Sequence, residues 1–215
     1  MTEQTHCSLC ASLEISEYFK DQRRSYVQCS RCDLVFVPSQ EYVTREAEKA
    51  EYDLHRNNID DAGYRGFLSR LMQPLLERLS PSASGLDFGC GPGPALAHML
   101  REAGFEMAVY DSFFACDDAV LMVSYDFICA TEVVEHLHRP GAELERLWSL
   151  ITDGGWLAIM TKLVSDQAAF AHWHYKNDPT HVCFFSRDTW RWWAQQHGAA
   201  LEIVGADVIL LRRNC

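Results

Sequence analysis

Four cysteines stand in two close pairs, Cys7-x-x-Cys10 and Cys29-x-x-Cys32, with eighteen residues between the pairs. Two such knuckles can bring four thiolates onto one tetrahedral ion, and the spacing matches a zinc ribbon. Four sulfurs leave the ion no open position, so its expected work is structural: a module this small has too little core to fold without it. Redox-active or merely structural cysteines are the competing reading. A second group, Asp87-Phe88-Gly89-Cys90-Gly91-Pro92-Gly93, sets glycines at alternate positions. Glycine is needed where φ is positive or where the backbone must approach a ligand with no Cβ between them, and a helix start just beyond would offer unpaired N–H groups. A third group is Thr131-Glu132-Val133-Val134-Glu135-His136. On a helix, Glu132 shares a face with Glu135 and His136 at i+3 and i+4. With the distant His181, these carboxylates and imidazoles suit Mg²⁺, Mn²⁺ or Zn²⁺, and such an ion would lower the pKa of a hydroxyl. Read without a metal, His136 or His181 is a general base. In the plainest reading Glu132 lines a pocket while Glu135 and His136 make interior hydrogen bonds.

Each group needs elements to aim it. The knuckles enclose an alternating, strand-like stretch and run into Leu34-Val35-Phe36-Val37, a small β-rich module over residues 1–40. Residues 41–61 are polar and read as a linker that folds over a site, with Tyr52, His55, Asn57 and the nearby Tyr64 as lid candidates. From Ala62 the spacing of Tyr64, Phe67, Leu68, Leu71, Met72, Leu75, Leu76 and Leu79 predicts an amphipathic helix ending at Ser80-Pro81. Gly85 to Phe88 is predicted as a strand, Pro94 to Ala103 as a helix and Glu106 to Tyr110 as a second strand, which with the glycine turn opens a doubly wound α/β sheet. Tyr125 to Ala130 is the next buried strand, with Glu132 to Leu137 helical beyond it. After a break at Pro140 come a helix over Ala142 to Leu150, a turn at Asp153-Gly154-Gly155 and a strand from Trp156 to Thr161. A Trp-rich helix, Arg187 to His197, precedes strands Leu201 to Val204 and Val208 to Leu211. These are joined too tightly for a parallel crossover and must pair antiparallel.

G-x-G-x-G after an Asp-ending strand resembles motif I of the class I S-adenosylmethionine-dependent methyltransferases. YDFICATEVVEHL, LITDGGWLAIMT and the closing hairpin agree with that family over roughly Tyr64 to Arg213. The resemblance implies a Rossmann-like doubly wound sheet with a C-terminal antiparallel hairpin over residues 62–215, and methyl transfer from S-adenosylmethionine to a small-molecule acceptor. The methyl group would go to an oxygen, nitrogen or carbon atom. It implies a cofactor site of Asp87, Gly89, Cys90, Gly91, Gly93, Thr131, Glu132 and Tyr64, with Asp111 at the second strand's tip accepting from the ribose hydroxyls and Ser112 beside it. The E-x-x-E-H pattern with a later histidine resembles the divalent-metal site of small-RNA 2′-O-methyltransferases, and EV-x-EH resembles ubiquinone-pathway O-methyltransferases. That places Glu135, His136 and His181 at the chemistry, with or without a second divalent ion held by Glu132 and these three. Many bacterial small-molecule methyltransferases carry a similar ribbon.

One departure stands out: only twenty residues separate Asp111 from Glu132, too few for the family's third strand and its connections. That edge strand is expected to be missing, and Asp117, Asp118 or the Phe113-Phe114 pair to take over its adenine contact. HWHYKNDPTHVCFF packs His172, Trp173, His174, Tyr175, Asp178 and His181 into the place where the family builds its acceptor pocket, while Trp190, Trp192 and Trp193 read as core and groove wall.

The 215 residues are 48% hydrophobic and 23% charged, enough for one main core and a satellite module. A net charge of −11 disfavours a nucleic-acid partner, which needs clustered Lys and Arg. With no long apolar stretch and no signal-like N-terminus, the expected place is the cytoplasm, away from membranes. Two rivals remain. One is a non-catalytic module that binds S-adenosylmethionine or S-adenosylhomocysteine and uses the ribbon for protein contact. The other is a nicotinamide-dependent oxidoreductase, disfavoured because the third glycine comes one position before a G-x-G-x-x-G fingerprint would place it.

Overall fold

The structure is a computed structural model and describes residues 4–54 and 57–214; His55 and Cys215 fall outside them. The chain begins with an antiparallel hairpin, β1 (Ile15–Lys20) and β2 (Ser25–Cys29), followed by the short β3 (Val35–Phe36). The polar linker contains more structure than its composition suggested. Thr44 accepts from the Ala47 N–H at 3.3 Å and starts helix α1 (Arg45–Tyr52), as an N-cap hydroxyl does.

Helix α2 (Ala62–Leu76) buries Leu68, Leu71, Met72 and Leu75, the predicted stripe. It stops short of the predicted Ser80-Pro81 end, two residues past Pro74, which supplies no N–H to the helix. Then come β4 (Ser84–Phe88), α3 (Ala95–Glu102), β5 (Glu106–Tyr110), β6 (Tyr125–Thr131), α4 (Pro140–Ser149) and β7 (Ile151–Met160). Pro140 does not break a helix; it sits in the first turn of α4, where its missing N–H costs nothing. Nor is Asp153-Gly154-Gly155 a turn before a strand. It lies inside β7, where the pairing with β6 shifts register between Tyr125 and Phe127; a Cβ on Gly155 would come 2.6 Å from the Asp126 carbonyl oxygen. The chain ends with α5 (Gln167–Ala171), β8 (Cys183–Phe184), α6 (Arg187–Gln196), β9 (Ala200–Val204) and β10 (Val208–Arg212).

Among the described residues the main sheet runs β5-β4-β6-β7-β10-β9, parallel from β5 to β7 and antiparallel at β10 and β9. It is a Rossmann-like α/β sheet closed by the predicted hairpin. Among the described residues no strand lies outside β5; between β5 and β6 the chain makes an Asp111–Ala115 bridge and a 3-10 turn over Asp118–Met122. Alternation sorts the central strands. Phe127, Cys129, Ala158, Met160 and Leu210 face α2 and α3, while Ile128, Ala130, Leu157, Ile159 and Leu211 face α4 and α6, which is why these strands read as unbroken apolar runs.

The cysteine module is built onto that second face. β3 pairs with β8 (Val35 with Phe184, Phe36 with Cys183), giving a second sheet, β1-β2-β3-β8. Tyr26, Val35, Phe36 and Phe184 share one buried cluster with the sheet residues. No helix among the described residues is long and apolar enough to cross a membrane.

Candidate active site

A cavity of about 820 Å³ opens at the carboxyl ends of β4, β5 and β6, where open α/β sheets place their ligands. One end is the glycine turn. Gly89 and Gly91 have φ of +73° and +65°, a region only glycine enters cheaply. A Cβ on Gly89 would meet Val133 at 2.4 Å, and one on Gly93 would lie 1.9 Å from the Asn57 carbonyl oxygen. The linker therefore rests directly on this turn. Asp111 holds the turn from the neighbouring strand: one carboxylate oxygen accepts from the Gly91 N–H at 3.0 Å, the other from the N–H groups of Phe113 and Phe114 at 2.8 and 3.1 Å. Asp87, 2% exposed, accepts from the Ala97 N–H of α3 at 3.2 Å, and burial pushes its carboxyl up to about 7.

Of the residues expected at the cofactor end, Asp87, Gly89, Cys90, Gly91, Asp111, Ser112, Thr131, Glu132 and Tyr64 line the cavity. Gly93 does not, because Asn57 covers it. Tyr52 and Asn57 of the lid segment line it too, as do Phe113 and Phe114. Asp117 and Asp118 do not: Asp117 caps the 3-10 turn through the Ala119 N–H at 3.0 Å, and Asp118 lies 3.4 Å from the Tyr110 hydroxyl.

At the other end the expected helix over Glu132–Leu137 is absent. Glu132 has φ +52°, the left-handed region, and its N–H donates to the Met160 carbonyl at 2.8 Å. The chain thus leaves β6 in a sharp bend, and only Val134–His136 form a single 3-10 turn. Glu132, Glu135 and His136 consequently share no helical face. Tyr175 joins the carboxyls instead: its hydroxyl donates to Glu135 Oε1 in a short hydrogen bond and lies 3.4 Å from Glu132 Oε2. Glu135 is fully buried behind the cavity wall, and its second oxygen accepts from the Thr161 hydroxyl at 2.9 Å. Burial, with the Glu132 carboxyl beside it, pushes Glu135 up to about 8. Glu132 Oε1 is buried with no hydrogen-bond partner among the described residues.

Ligand atoms of Glu135, His136 and His181 lie within 4.8 Å of one another. The His136 Nδ1 is 3.0 Å from the Thr180 hydroxyl and the His181 Nδ1 is 2.7 Å from the Tyr175 carbonyl. Burial lowers the His181 pKa, favouring the neutral ring. Of the aromatic insertion, His174, Tyr175, Asp178 and His181 reach the cavity; His172 is exposed and Trp173 packs on Phe170 and Phe184. Trp190 and Trp193 are core. The sequence reading passed over Thr161 and Lys162, although they follow β7 at its ligand-binding end; Lys162 Nζ sits 3.2 Å from His174 Nε2 and 5.0 Å from the Tyr175 ring centre.

Glu135→Gln is expected to flatten the pH dependence of stability. A carboxyl whose pKa is raised from 4.5 to about 8 on folding favours the fold below pH 4.5 and loses that contribution as pH rises through 8. Thermal melts between pH 5 and 9, without added divalent ions, should show the slope in the wild type and a shallower one in the variant. Equal slopes would contradict the assignment.

The four ribbon sulfurs also lie within 4.8 Å of one another, Cys7 to Cys32 and Cys10 to Cys29 each at 3.5 Å. A tetrahedron with Zn–S of about 2.3 Å has edges of ~3.8 Å, so the donor set fits such an ion. Hydrogen bonding from Cys32 lowers Cys7 to about 5, while burial pushes Cys10 up to about 12.

The family model of the methyltransferase domain matches residues 62–203, and the chain belongs to that family. Its fold is that of the class I S-adenosylmethionine-dependent methyltransferases. Magnesium protoporphyrin IX methyltransferase from Synechocystis PCC 6803, crystallised with bound SAH, superimposes with a TM-score of 0.55 at 16% identity, covering 79% of this chain and 94% of that one. A SAM-dependent methyltransferase from Archaeoglobus fulgidus gives 0.54 at 15% identity, covering 69% and 94%. No curated protein matches.

Proposed function

We propose that the protein transfers a methyl group from S-adenosylmethionine to a small-molecule acceptor. The observation that carries this reading is a single cavity running from the glycine turn and Asp111 to Glu132, Tyr175, His136 and His181. When bound, S-adenosylmethionine supplies an electrophilic methyl group whose transfer breaks the carbon–sulfur bond and leaves the electron pair on sulfur. The protein's own task is to align the acceptor, exclude water and take up a proton where the acceptor is acidic. Asp111 presents carboxylate oxygens to the ribose hydroxyls, and Phe113 and Phe114 offer apolar faces to the adenine. Asp87 and the Glu132 carboxyl face the cofactor's cationic end. A neutral His136 or His181 can accept the proton. Glu135, His136 and His181 also fit a divalent ion: each ring holds a second partner through Nδ1, which orients Nε2. Such an ion would lower the pKa of an acceptor hydroxyl. The ribbon ion is read as structural zinc.

Calorimetry with S-adenosylmethionine and S-adenosylhomocysteine, followed by a metabolite pool and labelled cofactor, tests the proposal. Binding with incorporation supports it; binding without any turnover would favour the non-catalytic module, and NADH binding the oxidoreductase. Because burial pushes the Asp87 carboxyl up to about 7 and its charged form favours a cation, affinity should rise with pH from 6 to 8. Asp87→Asn should flatten that rise; an identical pH profile in the variant would remove Asp87 from the cofactor site.

A further inference from the structure

The hairpin turn between β1 and β2 reaches across to the segment that carries Tyr175 and His181. Arg24 donates through Nη2 to the carbonyl oxygens of Lys176 at 2.5 Å and Asp178 at 2.6 Å, and through Nη1 to that of Pro179 at 3.1 Å. A guanidinium is the side chain whose fixed fork can serve three carbonyls at once. Tyr26 adds its hydroxyl to the Lys176 carbonyl at 3.2 Å, and the Lys176 ammonium, 6% exposed, pairs with Asp21 at 2.7 Å. All of these partners come from one hairpin, and all hold the turn between Tyr175 and His181.

We propose that Arg24 is a positioning residue of the reaction end: by gripping the Lys176–Pro179 turn it sets the Tyr175 hydroxyl against Glu132 and Glu135 and the His181 ring beside His136. The ribbon is thereby a working part of the site. The proposal rests on the reading of that end as the acceptor site. The ribbon's attachment does not depend on Arg24, since β3 pairs with β8 and the Val37 N–H donates to the Val182 carbonyl at 2.9 Å. Removing the guanidinium should loosen the turn and leave the ribbon in place.

The test uses full-length, zinc-loaded protein and the variants Arg24→Ala and Arg24→Lys. The His181 ring lies 4.2 Å from the Tyr175 ring and 4.6 Å from that of His136, so its carbon-bound proton resonances carry their ring currents. In Arg24→Ala these resonances should move toward free histidine, and amides of 175–181 should exchange at least about tenfold faster. Zinc content and S-adenosylmethionine affinity should stay within about twofold of wild type. Arg24→Lys, and guanidinium added to Arg24→Ala, should each restore part of the His181 shift. With an acceptor in hand, its kcat/KM should fall at least about tenfold at an unchanged KM for the cofactor. Unchanged His181 resonances and exchange in a folded Arg24→Ala would overturn the proposal, as would loss of zinc together with the loop. Should Arg24→Ala not fold, Asp21→Asn, which releases Lys176, must show the same loop-confined exchange or the proposal falls. If the wild type binds no S-adenosylmethionine, the functional reading fails, and the resonances alone decide the role of Arg24.

Discussion

Gly91→Val and Asp111→Ala are each expected to weaken S-adenosylmethionine binding at least about tenfold, roughly 1.4 kcal/mol. At Gly91 two costs coincide: φ is +65°, and a Cβ would press on the Asn57 side chain at 2.7 Å. Valine, branched at that carbon, must distort the turn or expel the lid segment. At Asp111 one side chain serves three backbone N–H groups in the glycine turn and at Phe113 and Phe114. Alanine frees all three and removes the ribose acceptor. Asp111→Asn keeps one carbonyl oxygen and should fall between the wild type and Asp111→Ala. Calorimetric affinities unchanged in both Gly91→Val and Asp111→Ala would place the cofactor elsewhere.

The second large effect concerns the ribbon. The purified protein is expected to carry about one zinc per chain, lost in the double variant Cys29→Ser, Cys32→Ser. Cys29 and Cys32 are fully buried, and the ribbon core is continuous with the α4 and α6 face of the main sheet through Val35, Phe36 and Phe184. Metal loss should therefore lower the melting temperature of the whole molecule, by roughly 10 °C or more if several kcal/mol are lost. It should also free the strand partner of β8, two residues beyond His181. Elemental analysis and a thermal melt, before and after chelation, check this. Full zinc loss with an unshifted melt would show the ribbon to be energetically separate.

The glycine turn was legible because positive φ and backbone contact restrict the residue type itself, and the central strands because burial on both faces demands unbroken apolar runs. The paired Cys-x-x-Cys spacing likewise announced convergent sulfurs. What sequence could not give depends on distant partners. Glu132 looked helical because Glu135 and His136 follow it at i+3 and i+4; the chain instead bends there, with the Glu132 N–H on the Met160 carbonyl of the neighbouring strand. Tyr175 stood out as one aromatic among several, and its bridge between two carboxyls is set by a neighbour forty residues back. Arg24 carried no signal at all, since its carbonyl partners lie more than 150 positions along the chain.

The Tyr52 ring meets Phe113 edge-on at 5.5 Å and His136 at 5.3 Å. One aromatic on the strap thus spans both compartments of the cleft. Under the proposed function, a nucleoside seated against Phe113 would press on Tyr52 and, through that one ring, on the wall beside the imidazole, so that donor and acceptor binding would be coupled through a single side chain.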